Sequence, residues 1–246
     1  MYAKTLSLAV LAATLCTSHA PAQVSTTTAR TGNRSPGSIA NSRPQPTTVG
    51  QIIPYAKLVA GAPNPFDRPL KMRDVLVVQR NASFLQLELV DVRLPGESFV
   101  EVVSMRDGDS QRLTQADAMH GTMHSAYFNG DALLVRLYAG PRSAAPSVTF
   151  RTLAVGMAPQ GGTDSLCGSD NRINSNHPAI GRMLVRRGTR VGVCTGWLIG
   201  RNSSFATAGH CLNGAGGVTV QFNVPQSTAG GAIVNPPAAD QHGWFA

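Results

Sequence analysis

Cys194-Thr-Gly-Trp-Leu-Ile-Gly-Arg-Asn-Ser-Ser-Phe-Ala-Thr-Ala-Gly-His-Cys211 is the stretch on which the reading of this chain turns. Trp197-Leu-Ile199 is a short apolar strand, Arg201-Asn-Ser-Ser204 a polar turn, and Phe205-Ala-Thr207 a second strand. The two cysteines flank this hairpin, with sixteen residues between them. Antiparallel strands return Cys211 toward Cys194, so a disulfide between them is geometrically reasonable. Closing a loop of that size contributes about 3 kcal/mol in the chain-entropy account. Such a bridge pins the residue beside it, His210. An imidazole, with an ordinary pKa of about 6.5, takes up and returns a proton near neutrality, which suits a general base. The same physics also serves a structural histidine. Small neighbours, Ala206, Ala208 and Gly209, allow close packing and a tight turn into the ring.

The segment resembles the histidine loop of the chymotrypsin/trypsin family, Thr-Ala-(Ala/Gly)-His-Cys, here Thr207-Ala-Gly-His-Cys211. That family's upstream Cys-x-Gly-x-Leu-Ile strand is matched by Cys194-Thr-Gly-Trp-Leu-Ile199, and the cysteine spacing agrees. The resemblance covers residues 180–225. It implies a Cys194–Cys211 disulfide and the role of catalytic general base for His210. In that family the histidine takes the proton of a serine nucleophile while a buried aspartate holds its ring. The implied activity is hydrolysis of peptide bonds in protein or peptide substrates through an acyl-enzyme, without metal or other cofactor.

The chain also departs from the family. No Gly-Asp-Ser-Gly-Gly motif occurs, so the family's nucleophile and oxyanion hole have no counterpart here. Asp240 is the only acid after His210, and its setting, Pro236-Pro-Ala-Ala-Asp-Gln241, reads as a loop rather than a buried strand end. The residues after Cys167 suffice for most of a first barrel and are too few for a second. The expectation is a front part of a protease, ending before the aspartate and serine and inactive alone. Cys167 is then unpaired, its simplest partner lying in the second barrel. The rival expectation is a non-catalytic secreted protein whose barrel is vestigial and whose sandwich binds a glycan or protein.

Upstream, Asp74-Val-Leu-Val-Val78 reads as a short buried strand, and Phe84-Leu-Gln-Leu-Glu-Leu-Val90 alternates as a half-buried one. Phe99–Val103, Ala132–Tyr138 and Val148–Phe150 add further strands between turns such as Leu94-Pro-Gly-Glu97 and Asp107-Gly-Asp109. No convincing amphipathic helix interrupts them, and the pattern indicates an antiparallel sandwich. Pro95-Gly-Glu-Ser-Phe-Val-Glu-Val102 and Gly130-Asp-Ala-Leu-Leu-Val-Arg-Leu137 resemble the small β-sandwich found ahead of protease domains in some secreted bacterial enzymes. The fold expected is all-β, an N-terminal β-sandwich followed by a partial trypsin-like β-barrel. Its divisions are a signal peptide at 1–22, a disordered linker at 23–50, the sandwich at 51–157, a polar Gly-rich junction at 158–176 and the barrel at 177–246.

The leader decides the compartment. Met1–Lys4 carries one positive charge, Thr5–Leu15 is mainly apolar, and Ala20-Pro-Ala22 offers a small-residue cleavage site. The apolar run is shorter than the about 20 residues that span a bilayer. Bulky Leu15 before Cys16 argues against a lipid anchor. A secreted protein, extracellular or periplasmic and without a membrane anchor, is expected, in surroundings that keep disulfides oxidised.

The net charge of +8 is spread along the chain. Residues 1–50 hold four basic and no acidic residues, 51–160 eleven against ten, and 161–246 six against three. A nucleic-acid binder shows a basic stripe interleaved with aromatic residues, and none is present. Arg182, Arg186, Arg187 and Arg190 read as solvated charge, so no nucleic-acid partner is expected. His120-Gly-Thr-Met-His124 has metal-ligand spacing, but it lacks the glutamate of a zincin, and Gly121 weakens any presenting helix.

Overall fold

The computed structural model describes residues 8–10, 46–157, 177–200, 204–228 and 231–245. The chain is all-β. Its strands are β1 (Leu8–Val10), β2 (Thr47–Ala60), β3 (Leu70–Val78), β4 (Phe84–Arg93), β5 (Phe99–Ser104), β6 (Ser110–Thr114), β7 (Met123–His124) and β8 (Phe128–Asn129). There follow β9 (Ala132–Ala139), β10 (Ser147–Gly156), β11 (Ile180–Arg187), β12 (Arg190–Ile199), β13 (Ser204–Thr207), β14 (Gly217–Gln221) and β15 (Gln241–Phe245). One α-helical turn, α1 (Gly209–Leu212), stands among them.

The first half is a sandwich. Strands β3-β9-β5-β6 form one layer, and β2-β10-β4-β7 belong to the other. Successive side chains of a strand point to opposite faces. Strand β9 therefore sends Leu133, Val135, Leu137 and Ala139 inward, and β5 sends Val100 and Val102. They meet Leu85, Leu87, Leu89, Phe150 and Leu153 from the opposite layer. Most apolar positions expected to be core are core, but β3, read as a buried strand, is covered on one face alone: Val75 and Val77 are buried while Leu76 and Val78 are exposed.

The second half runs β15-β14-β11-β12, with β13 on the far side of β12. Met183, Val185, Phe205, Val218 and Val220 fill it. Leu8–Val10, within the expected leader, pair in parallel with Phe205–Thr207. The rest of the leader, the linker up to residue 45, the junction at 158–176 and Cys167 lie outside the described residues.

The expected division between the halves is corrected in two respects. Thr47–Gly50, assigned to a disordered linker, open strand β2, which hydrogen-bonds β12 through Thr47–Gln51 and β10 through Gly50–Ala60. Polar composition concealed a strand whose ladder partners lie far along the chain. The two halves also share one sheet, ordered β15-β14-β11-β12-β2-β10-β4-β7. At the seam Val49, Phe84, Tyr127, Ala154, Leu184 and Val191 form a common apolar cluster.

Strand β4 differs from its expected half-buried state. Gln86 is 0% and Glu88 6% exposed, so its polar face is covered as fully as its apolar one. Ser125, His124 and Thr152 of the sandwich itself cover it together with Arg186 of the other half.

Candidate active site

The hairpin folds as its residues suggest. Strand β12 pairs antiparallel with β13, placing Gly196 opposite Thr207 and Trp197 opposite Ala206. Glycine at 196 is a packing requirement, because a Cβ there would lie 2.2 Å from the Phe205 ring. The Thr207 hydroxyl donates to the Thr195 carbonyl at 2.8 Å, fastening the end of β13 to β12. From Ala208 the chain enters α1, where the Cys211 N–H donates to the Ala208 carbonyl at 2.9 Å.

Cys194 and Cys211 form a disulfide with a Cα–Cα separation of 6.1 Å. Cys211 is buried, and its neighbour His210 is half-exposed. A ring nitrogen of His210 and the two sulfurs all lie within 4.8 Å of one another. With the sulfurs joined to each other, the cluster lacks the thiolates a metal needs. Arg187 donates to the His210 carbonyl, holding the turn at its backbone. The result is an anchored histidine backbone carrying a ring open to solvent.

The structure brings together Cys194, His210 and Cys211. It does not bring them an acid: among the described residues no carboxylate lies within ion-pair reach of His210. Asp240 closes a 3-10 turn at Ala238–Asp240, where its N–H donates to Pro237 and its carbonyl accepts from Phe222. Its position beside the end of β14 is a backbone junction.

A second cluster was not foreseen. Glu88 on β4 accepts from Thr152 at 2.6 Å and from Arg151, both on β10. Its carboxylate lies 3.3 Å from His124 Nε2 on β7 and 3.7 Å from Arg186 Nη2 on β11. Arg186 also donates to Gln86 at 2.7 Å and to Thr152 at 3.0 Å. Burial pushes the Glu88 carboxyl up, but hydrogen bonds from His124, Arg151 and Thr152 outweigh it and hold the group well below the usual carboxylate range. Burial pushes the His124 imidazole below its ordinary value; Glu88 opposes this and Arg186 reinforces it. Glu88, His124 and Arg186 are buried, and Arg151 reaches them from the surface. They join the halves.

This corrects the reading of Arg182, Arg186 and Arg187 as solvated, while Arg190 is exposed as expected. On β11, Arg182, Leu184 and Arg186 share one face, while Met183 and Val185 enter the barrel core on the other. The alternation was legible, but nothing local shows that the arginine face meets the sandwich. His124, singled out for metal-ligand spacing, instead pairs with Glu88, and His120 occupies a turn with φ of 52°.

No family model matches the chain, and no solved structure matches it. Over 166 residues it is 24% identical to "Secreted RxLR effector protein 73" of Plasmopara viticola, an alignment taking in 56% of this chain. The chain covers 40% of that relative's length. Among the described residues no helix is long and apolar enough to cross a membrane.

Proposed function

We propose that this chain is the histidine-bearing part of a secreted serine endopeptidase, with His210 as its general base. The observation that carries the reading is the disulfide from Cys194 to Cys211, which anchors the backbone of a solvent-reaching imidazole at the end of a strand. A general base needs its proton-accepting nitrogen held in place yet reachable by substrate, and this arrangement supplies both. In the reaction His210 takes the serine proton as the hydroxyl attacks the peptide carbonyl, then returns it to the leaving amine. An acidic partner would hold the ring and stabilise its cationic form. Serine and acid are requirements of the reading and concern the whole gene product. The secreted name of the similar protein accords with an exported chain.

The test uses the secreted product of the complete reading frame. A fluorophosphonate probe should label it, and His210→Ala should abolish labelling while leaving the thermal transition in place. Labelling absent from the unaltered product, or unchanged in His210→Ala, refutes the proposal.

One observation favours a second reading, a secreted binding protein without catalysis: the similar protein is named an effector. In that case the 246 residues fold cooperatively by themselves and titrate with no free thiol. A free Cys167 thiol and an unstable second half speak for the protease reading.

A further inference from the structure

Arg182 contrasts with the described arginines that meet a carboxylate. Arg151 and Arg186 meet Glu88, and the more exposed Arg136 and Arg142 meet Glu101 and Asp67. Among the described residues Arg182 has only neutral partners. Its Nε donates to Gln221 at 2.8 Å, and its Nη2 to the Val234 carbonyl at 2.9 Å and the Asn235 side chain at 3.1 Å. Nη1 bonds to no described residue. The neutral groups are committed elsewhere too, since Gln221 donates to Asn235 and to Gln241, each at 3.0 Å. A partly buried guanidinium without a counter-charge is costly, and burial pulls its pKa down to about 10.

Beside it is a half-open cavity of about 170 Å³. Thr195, directly across the β11–β12 ladder from Arg182, and Asn223 are polar residues of its wall. His177 lies at the same wall, and Ile180 and Val224 supply carbon surface. The space accommodates a group of a few non-hydrogen atoms, larger than one water.

We propose that the Arg182 cavity binds a carboxylate carried on a short aliphatic chain. Nη1, which bonds to no described residue, offers a charge-assisted hydrogen bond to one carboxylate oxygen, with Thr195 and Asn223 within the same cavity for the other. Ile180 and Val224 take the methylenes. A single guanidinium nitrogen without a described partner matches one negative charge, whereas a phosphate dianion calls for more donors. The carboxylate belongs either to a glutamyl side chain of a peptide or to a free short-chain acid. The site is independent of the role assigned to His210.

The test titrates the unaltered protein with butyrate and with acetyl-Ala-Glu-Ala-amide, at chloride-matched ionic strength. The Gln counterpart of the peptide is the control. Saturable binding or a saturable rise in melting temperature is expected for at least one carboxylate, weakened tenfold or more by Arg182→Gln and severalfold by Thr195→Val. Preference for the peptide identifies a side-chain ligand, and preference for butyrate a free acid; both support the site. No saturable response to either, or equal affinity in Arg182→Gln, overturns it. Should Arg182→Gln fail to fold, the Arg182 Nε resonance of the unaltered protein decides: a carboxylate-dependent shift supports the site, and an unmoved resonance refutes it.

Discussion

Glu88→Ala offers a direct measure of whether the two halves are energetically one body. Glu88 lies on β4 in the sandwich, while its partner Arg186 comes from β11 of the barrel half. Both tryptophans, Trp197 and Trp244, lie in the barrel half, on β12 and β15. Removing the carboxylate strips Arg151 of its anion and leaves the Arg186 side chain, 8% exposed, with only the neutral Gln86 and Thr152. Breaking a buried ion pair by deleting one partner costs about 3–5 kcal/mol, chiefly because the other charge stays buried. For a protein of this size each kcal/mol moves the midpoint by about 2–4 °C, so the transition should fall by roughly 6–20 °C. The assay is thermal unfolding followed in parallel by tryptophan fluorescence and far-ultraviolet circular dichroism. With β2 and Arg186 joining the halves, the fluorescence transition should fall together with the dichroism transition. A tryptophan transition that stays in place while the dichroism splits into two steps would refute the joined-halves reasoning.

Acidification should destabilise the fold in two stages of the same sign. His124 and Glu88 both titrate below their ordinary values in the fold, so the unfolded chain binds the proton more tightly. Stability therefore begins to fall as pH drops through about 6.5, from His124, and again through about 4.3, from Glu88. Urea midpoints measured from pH 8 to 3 should show the upper stage flattened by His124→Gln and the lower by Glu88→Gln; unchanged profiles would contradict the assignment. Replacing Cys194 and Cys211 together by alanine should lower stability by about 3 kcal/mol, read as a lower urea midpoint. An unshifted midpoint would show that the bridge constrains His210 without stabilising the chain.

The strands were largely legible because their information is local. Strand β9 alternates inward and outward over its whole length, and the turns around it announce themselves through Gly and Asp. The histidine hairpin was legible for the same reason, since its cysteines, its glycine and its small residues act on neighbours a few positions away. The disulfide accordingly stands where the residues implied, with His210 next to Cys211. Thr47–Gly50 were not legible, because a polar β-branched segment is a strand only when a ladder is offered to it.

By itself, then, the sequence determined the all-β class, most strand positions, the inward faces of the sandwich and the pinned histidine. The tertiary structure decided which polar faces are wet. Alternation along β4 and β11 records two faces but not what each one meets. Gln86, Glu88 and Arg186 therefore read as solvent-facing until the halves came together over them. Burial of a charged face is a property of the surface brought against it, and that surface is supplied by chain a hundred residues away in the Arg186–Gln86 contact.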